Sequence, residues 1–241
     1  DYRTPVQNQR DQLSSLGMYS DLTFDTFDTR TGLTPQDQQN LERAVATARS
    51  YAQQPSDWLV FTGTFGCGKT HLAAAIANEQ QERGVNVTFV TTPDLLDYLR
   101  LTFSPGSTSS FDRRFQMVRN APLLVLDDLG TESATAWAKE KLFQILNYRY
   151  VSRLPTIITT ARPIEEIDAR IRSRLLDRRR CLIFAITAPD YAGRVSRKKS
   201  EGTDRNPPAD RPLCPPRSPG RARTAVPQSV HAHPPRLARH R

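Results

Sequence analysis

Eight consecutive residues, Gly63-Thr64-Phe65-Gly66-Cys67-Gly68-Lys69-Thr70, follow the pattern G-x-x-x-x-G-K-[ST] in full. That pattern suits one task, wrapping a backbone around a polyphosphate. Glycines let N–H groups approach an anion closely, and a helix opening at the end of the motif adds free donors and the positive end of its dipole. The Lys69 ammonium can reach the β- and γ-phosphates, and the Thr70 hydroxyl can take one position on Mg²⁺. The flanks fit, with the apolar run Trp58 to Thr62 (WLVFT) before the motif and THLAAAIANEQ from Thr70 onward. His71, one residue past the motif, joins the candidates for contact with a nucleotide. The plainer alternative is a glycine-rich strand-to-helix turn with an exposed lysine.

A phosphate cradle needs a second anchor for its metal. Leu123 to Asp128 (LLVLDD) is four apolar residues followed by two carboxylates, which puts the acids at the C-terminal end of a buried strand. Ligands bind at that end in open α/β sheets. Asp127 is the candidate to hold Mg²⁺, and Asp128 the candidate to orient or deprotonate an attacking water. An acidic turn capping the next element is the alternative. Together the two motifs imply nucleoside triphosphate chemistry. No N-K-x-D stretch specifies guanine, so ATP is the expected nucleotide.

These loops need elements to hold them. Strand-length apolar runs occupy Trp58 to Thr62, Val85 to Thr91, Leu123 to Asp127, Thr156 to Thr160 and Cys181 to Ile186. They are nearly continuously apolar, as strands covered on both faces are. Helical stretches fall between them at Lys69 to Arg83, Pro93 to Thr102, Phe111 to Arg119, Ala134 to Arg153 and Ile164 to Arg178. One more precedes them, opened by Thr34 as N-cap and Pro35 as first helical residue. The alternation predicts a three-layer α/β sandwich with a five-stranded parallel sheet. Gly106 to Ser110 (GSTSS) reads as a flexible loop.

The charge of +9 is unevenly spread. Residues 1–190 balance at 22 basic and 22 acidic, whereas 191–241 carry 12 basic against 3 acidic, with 9 of the 18 prolines. The basic character therefore belongs to a tail and does not argue for a basic globular domain. That tail lacks aliphatic clusters and is expected to be disordered, either as a nucleic-acid-binding arm or as an extension with no selected role. The expected organisation is a flexible lead-in over 1–21, a core over 22–190 and the tail over 191–241. No apolar run reaches the ~18–20 residues of a membrane helix, and Cys67, Cys181 and Cys214 form no C-x-x-C pair, so a cytoplasmic protein is expected. The chain begins at Asp1 and not at Met, as a fragment or a processed product does.

The glycine-rich motif running into THLAAAIANE, the stretch LLVLDDLGTE and the segment PTIITTARPIEEIDARIRSRLLDR resemble the AAA+ ATPase domain of DnaC/DnaI-type replicative helicase loaders and their IstB-like relatives. The leading LTFDTF resembles the aromatic segment ahead of that core. The resemblance implies an ATP-binding P-loop ATPase, with Gly63 to Thr70 as Walker A and Asp127-Asp128 as Walker B. It implies an arginine finger at Arg174, acting on ATP held by a neighbouring subunit of a homo-oligomer. Arg170, Arg174 and Arg178, at four-residue spacing, are expected to share a helix face.

Two departures from the family imply slow turnover. Ala161 stands where the family often has Asn after Thr-Thr, leaving Thr160, or else Thr159 or Arg162, as substitutes. Asp128 stands where many AAA+ proteins have Glu. Implied partners are a replicative hexameric helicase and single-stranded DNA, with Arg113 and Arg114 beside Phe111 and Phe115 as candidate DNA contacts. For that last segment an amphipathic helix with Phe111, Phe115 and Val118 facing the core is the preferred reading. The alternatives for the whole chain are an IstB-like transposition helper and a non-hydrolysing ATP-binding assembly protein.

Overall fold

The computed structural model describes residues 13–30, 32–100, 108–131 and 135–191, with backbone alone for 108–110. The first twelve residues of the expected lead-in, the start of the Gly106 loop and the tail from 192 lie outside the described residues. Five strands, β1 (Trp58–Gly63), β2 (Val87–Thr91), β3 (Leu123–Asp127), β4 (Thr156–Thr160) and β5 (Cys181–Ile186), form one sheet in the order β2-β3-β4-β1-β5. Every neighbouring pair is parallel. The helices are α1 (Pro35–Gln53), α2 (Lys69–Glu82), α3 (Thr92–Arg100), α4 (Thr108–Arg119), α5 (Ala136–Val151) and α6 (Ala169–Leu175).

The continuous apolarity of the strands has a direct cause. Alternate side chains feed opposite faces. Leu59, Phe61, Leu123, Val125 and Ile157 pack with Leu41 and Ala48 of α1 and Leu72 and Ile76 of α2. Val60, Leu124, Leu126 and Ile158 pack with Leu96 of α3, Val118 of α4, Ile145 of α5 and Leu175 of α6. Both faces are covered, giving the three layers that the alternation of elements predicts. No helix among the described residues is long and apolar enough to cross a membrane.

Strand order decides what can meet. β1 lies between β4 and β5, and β3 lies beside β4, so the loops after β1, β3 and β4 open side by side at the C-terminal end of the sheet. Val60 and Leu126 are both level with Ile158. Asp127 is thus level with Thr159, one residue further on. At the other end the fully buried Arg149 of α5 donates to the carbonyls of Arg119 (3.1 Å), Ala121 (2.8 Å) and Pro155 (2.6 Å) and to Thr156 Oγ1 (2.9 Å). Burial pushes its guanidinium down to about 9, and those acceptors satisfy it.

Four stretches differ from expectation. Residues 108–110, expected to end a flexible loop, instead open α4. The helix expected over Ile164 to Arg178 is broken. A 3-10 turn, Ile164–Glu166, leads to extended Ile167, which is buried, and Asp168 then caps α6 by accepting the Arg170 N–H at 3.0 Å. Arg178 lies past the end of α6, so only Arg170 and Arg174 share its face. Residues 13–21 are docked: Leu13 and Leu16 are buried, and the Ser15 N–H donates to the Phe89 carbonyl at 2.8 Å. This contact covers the open edge of β2. Finally, Val85 and Asn86 precede β2 instead of belonging to it.

Candidate active site

The glycine-rich loop leaves β1 and enters α2 at Lys69. Gly63 (φ +147°) tolerates no side chain, because a Cβ there would collide with the Ile186 carbonyl and with Cys67 Sγ. Gly66 (φ +68°) is restricted by its left-handed backbone, and a Cβ there would also have to displace the Asp190 carboxylate. The back of the loop is tied down. The Gly66 carbonyl accepts Arg30 Nη2 at 3.0 Å and the Tyr191 N–H at 3.1 Å. The same Arg30 guanidinium donates to the Pro189 carbonyl and lies 5.2 Å from the Tyr191 ring centroid. This holds the Gly66–Cys67 peptide in one orientation.

Lys69 is only 4% exposed. Its ammonium donates to the carbonyls of Gly63 (3.0 Å) and Thr64 (2.7 Å), inside the loop it closes. Thr70 Oγ1 donates to both carboxylate oxygens of Asp127, each at 3.1 Å. A second hydroxyl group joins from β4: Thr159 Oγ1 donates to Asp127 Oδ1 at 2.6 Å and accepts the Asp128 N–H at 2.9 Å. One threonine thus orients Asp127 and the turn that carries Asp128, whose φ is +55°.

Asp127 is 2% exposed. Burial raises its carboxyl pKa, and the Asp128 charge adds to the rise; the bonds from Thr159 and Thr70 and the charge of Lys69 act in the opposite sense. A buried carboxylate beside a threonine hydroxyl is a hard oxygen pair of the kind Mg²⁺ uses together with substrate phosphates. No group of three or more His, Cys, Asp or Glu that could hold a metal gathers among the described residues. A cation here would rely on Thr70, Asp127 and the substrate's own oxygens.

Phe65, Gly66, Gly68, Lys69, Thr70 and His71 line one side of a cavity of about 470 Å³, and Asp128 lines it as well. The opposite wall was not legible in the sequence: Thr26, Phe27, Asp28, Arg30 and Tyr191 complete the lining. His71 joins the two sides. Its Nε2 donates to the Thr23 carbonyl at 2.9 Å, and its ring meets Phe27 edge-on at 5.0 Å. The aromatic patch LTFDTF is visible as composition, but no local signal says that residue 27 packs on residue 68.

Several candidates sit elsewhere. Thr160 is fully buried; its hydroxyl donates to the Leu129 carbonyl at 2.7 Å and accepts the Arg162 N–H at 3.0 Å. It does not line the cavity, and Thr159 takes the position beside Asp127 instead. Strand parity separates the two, pointing them to opposite faces. Arg174 lies against α5, with Nε and Nη2 donating to Asn147 Oδ1 at 3.0 and 2.7 Å. Phe115 and Val118 are buried in the core, and Arg114 stacks on Tyr98 at 4.3 Å. Phe115 is therefore not available as a stacking face for bases.

A parallel sheet in this order, with a glycine-rich loop and a carboxylate meeting at the ends of β1 and β3, defines a P-loop nucleoside triphosphatase fold of the AAA+ kind. Comparison with known proteins narrows this further. The profile of the IstB-like ATP binding protein family matches residues 7–196, and the chain belongs to that family. It is similar to the replicative helicase loader DnaC of Escherichia coli (strain K12), 33% identical over 162 residues that take in 65% of this chain and 66% of that one. It is also 31% identical over 151 residues to an insertion-sequence ATP-binding protein of Pseudomonas fluorescens, covering 60% of this chain and 59% of the relative. Among solved structures, a crystal structure of the DnaC helicase loader superposes with a TM-score of 0.59 at 26% identity, covering 70% of this chain and 99% of that one. The chain spans just under two thirds of the length of the E. coli loader it matches.

Proposed function

We propose that this chain binds ATP with Mg²⁺ in the cavity beside Lys69, hydrolyses it slowly, and acts as an assembly factor that helps place a replicative hexameric helicase on single-stranded DNA. The observation that carries the nucleotide part is the meeting of Thr70 and Asp127 at 3.1 Å beside a glycine-rich loop. The helicase part is supported by the similarity to the E. coli loader.

In this reading the N–H groups of Gly63 to Thr70 bind the phosphates. The Lys69 ammonium leaves the carbonyls of Gly63 and Thr64 for the β- and γ-phosphate oxygens, exchanging neutral acceptors for charged ones. Thr70 and Asp127 would hold Mg²⁺, which would supply positive charge to offset that of the phosphates. Phe27 shapes the wall opposite the loop, and His71 ties the two walls together. Asp128, held in its turn by Thr159, orients the attacking water. Arg174 serves the site of a neighbouring copy, so the competent site forms only in a homo-oligomer. Ala161 offers no polar group to the γ-phosphate, which keeps turnover slow.

A decisive experiment measures ATP turnover with and without single-stranded DNA, together with capture of a hexameric helicase by the chain. Binding of the helicase and DNA-dependent turnover are expected. Tight ATP binding with no turnover and no helicase capture would overturn the loader reading. A second reading, a transposition helper, is favoured by the similarity to the insertion-sequence protein; capture of a transposase and not of a helicase would establish it.

A further inference from the structure

The basic face of α6 is not uniform. Arg170 is neutralised by Glu140 at 2.8 Å and Asp168 at 3.3 Å. Arg174, one turn further on, makes no ion pair among the described residues and is held entirely by neutral acceptors. Nε and Nη2 donate to Asn147 Oδ1, and Nη1 donates to the Arg170 carbonyl at 2.8 Å. The guanidinium also lies 4.9 Å from the Phe143 ring centroid. Of the five N–H donors of an arginine, three are thus committed inside the chain. One remains on each terminal nitrogen. With a donor left on each terminal nitrogen, a planar cation can take an oxyanion bidentately.

We infer that Asn147 is the positioning residue for Arg174: its side-chain oxygen fixes the near edge of the guanidinium so that the far edge is presented, fully charged, to a phosphate oxygen held by a second copy of this chain. The choice of an amide matters. A carboxylate at 147 would neutralise the cation, as Glu140 and Asp168 do for Arg170. Without an acceptor there, the long side chain would recover its rotamer freedom, and the entropy lost on ordering it would fall on the reaction step. The inference rests on the trans role proposed for Arg174, and its test separates the two.

The test compares ATP turnover of assembled Arg174→Ala, Asn147→Ala and the double variant, with thermal melts as a control for folding. Arg174→Ala is expected to lower kcat at least about tenfold. Asn147→Ala is expected to lower kcat about three- to tenfold with KM and Tm near those of the unaltered chain, and the double variant should be no slower than Arg174→Ala alone. Mixing gives a readout that packing alone would not move. Subunits carrying Asp128→Asn keep an intact Arg174 and Asn147, so adding them to Asn147→Ala subunits should restore turnover. If Arg174→Ala leaves assembled turnover unchanged, the trans role fails and this inference with it. If Arg174→Ala is slow while Asn147→Ala keeps its kcat, or mixing restores nothing, the positioning role alone is overturned.

Discussion

The hydroxyl of Thr70 lies 3.1 Å from each carboxylate oxygen of Asp127, although 57 residues separate them in the chain. The contact exists because β4 alone stands between β1 and β3, and its Thr159 reaches the same carboxylate at 2.6 Å. A carboxyl group shared by two threonines and shielded from water is costly to ionise until a cation arrives.

That cost has a sign. Burial raises the Asp127 pKa above its ordinary 3.8, so the folded chain keeps this proton to a higher pH than the unfolded chain. The ligand-free fold therefore loses stability as pH rises from 3.8 through the raised value. Asp127→Asn, neutral throughout, removes this loss and should raise the Tm of the ligand-free protein at neutral pH. The same variant should lose the Mg²⁺-dependent part of ATP binding. Melting curves with and without Mg²⁺ and ATP check both, and a lower ligand-free Tm would contradict the account.

Removing the Lys69 ammonium takes away the charge aimed at the phosphates. Lys69→Ala should weaken ATP binding by about a hundredfold, the worth of strong charged hydrogen bonds. A fluorescent-nucleotide titration reads this directly; affinity within threefold of the parent would mean the nucleotide sits elsewhere.

Arg30 is absent from every motif, yet it braces the Gly66 carbonyl at 3.0 Å from behind. Arg30→Ala leaves Lys69, Thr70 and Asp127 untouched but frees the loop to sample orientations that bind phosphate poorly. ATP affinity should fall about tenfold, the scale of one charged hydrogen bond. Calorimetric titration would show it, and an unchanged Kd would mean the loop holds its own shape.

Arg149 tests the opposite end of the sheet. Arg149→Leu strands the carbonyls of Ala121 and Pro155 and the Thr156 hydroxyl without their buried donor. A loss of about 3 kcal/mol is expected in urea unfolding. ATP binding by the protein that remains folded should be unaltered, because Arg149 lies at the N-terminal ends of the strands, away from the loop.

Much of the framework was legible beforehand. The runs at 123–127, 156–160 and 181–186 end where the strands end, because bounded apolar stretches leave little freedom in placing a doubly covered strand. The helical period placed Phe115 and Val118 on the core side of α4, where they lie. Other features needed contacts between distant segments. Pro163 hints at a break, but burial of Ile167 is what splits the expected helix before α6. Thr159 and Thr160 are alike as residues, and only the pairing of β3 with β4 puts the first beside Asp127.

Taken by itself, the chain of residues determined the glycine-rich phosphate-loop motif, the alternation of strands and helices, and the confinement of the excess positive charge to residues 191–241. Folding decided which threonine attends the carboxylate, that Phe27, Arg30 and Tyr191 wall the cavity, and that Asn147 holds Arg174. The reason is physical. Motifs and periodicities act over a few residues, so they can be read locally. Strand order and register set which side chains become neighbours, and these arise only when segments dozens of residues apart pack together.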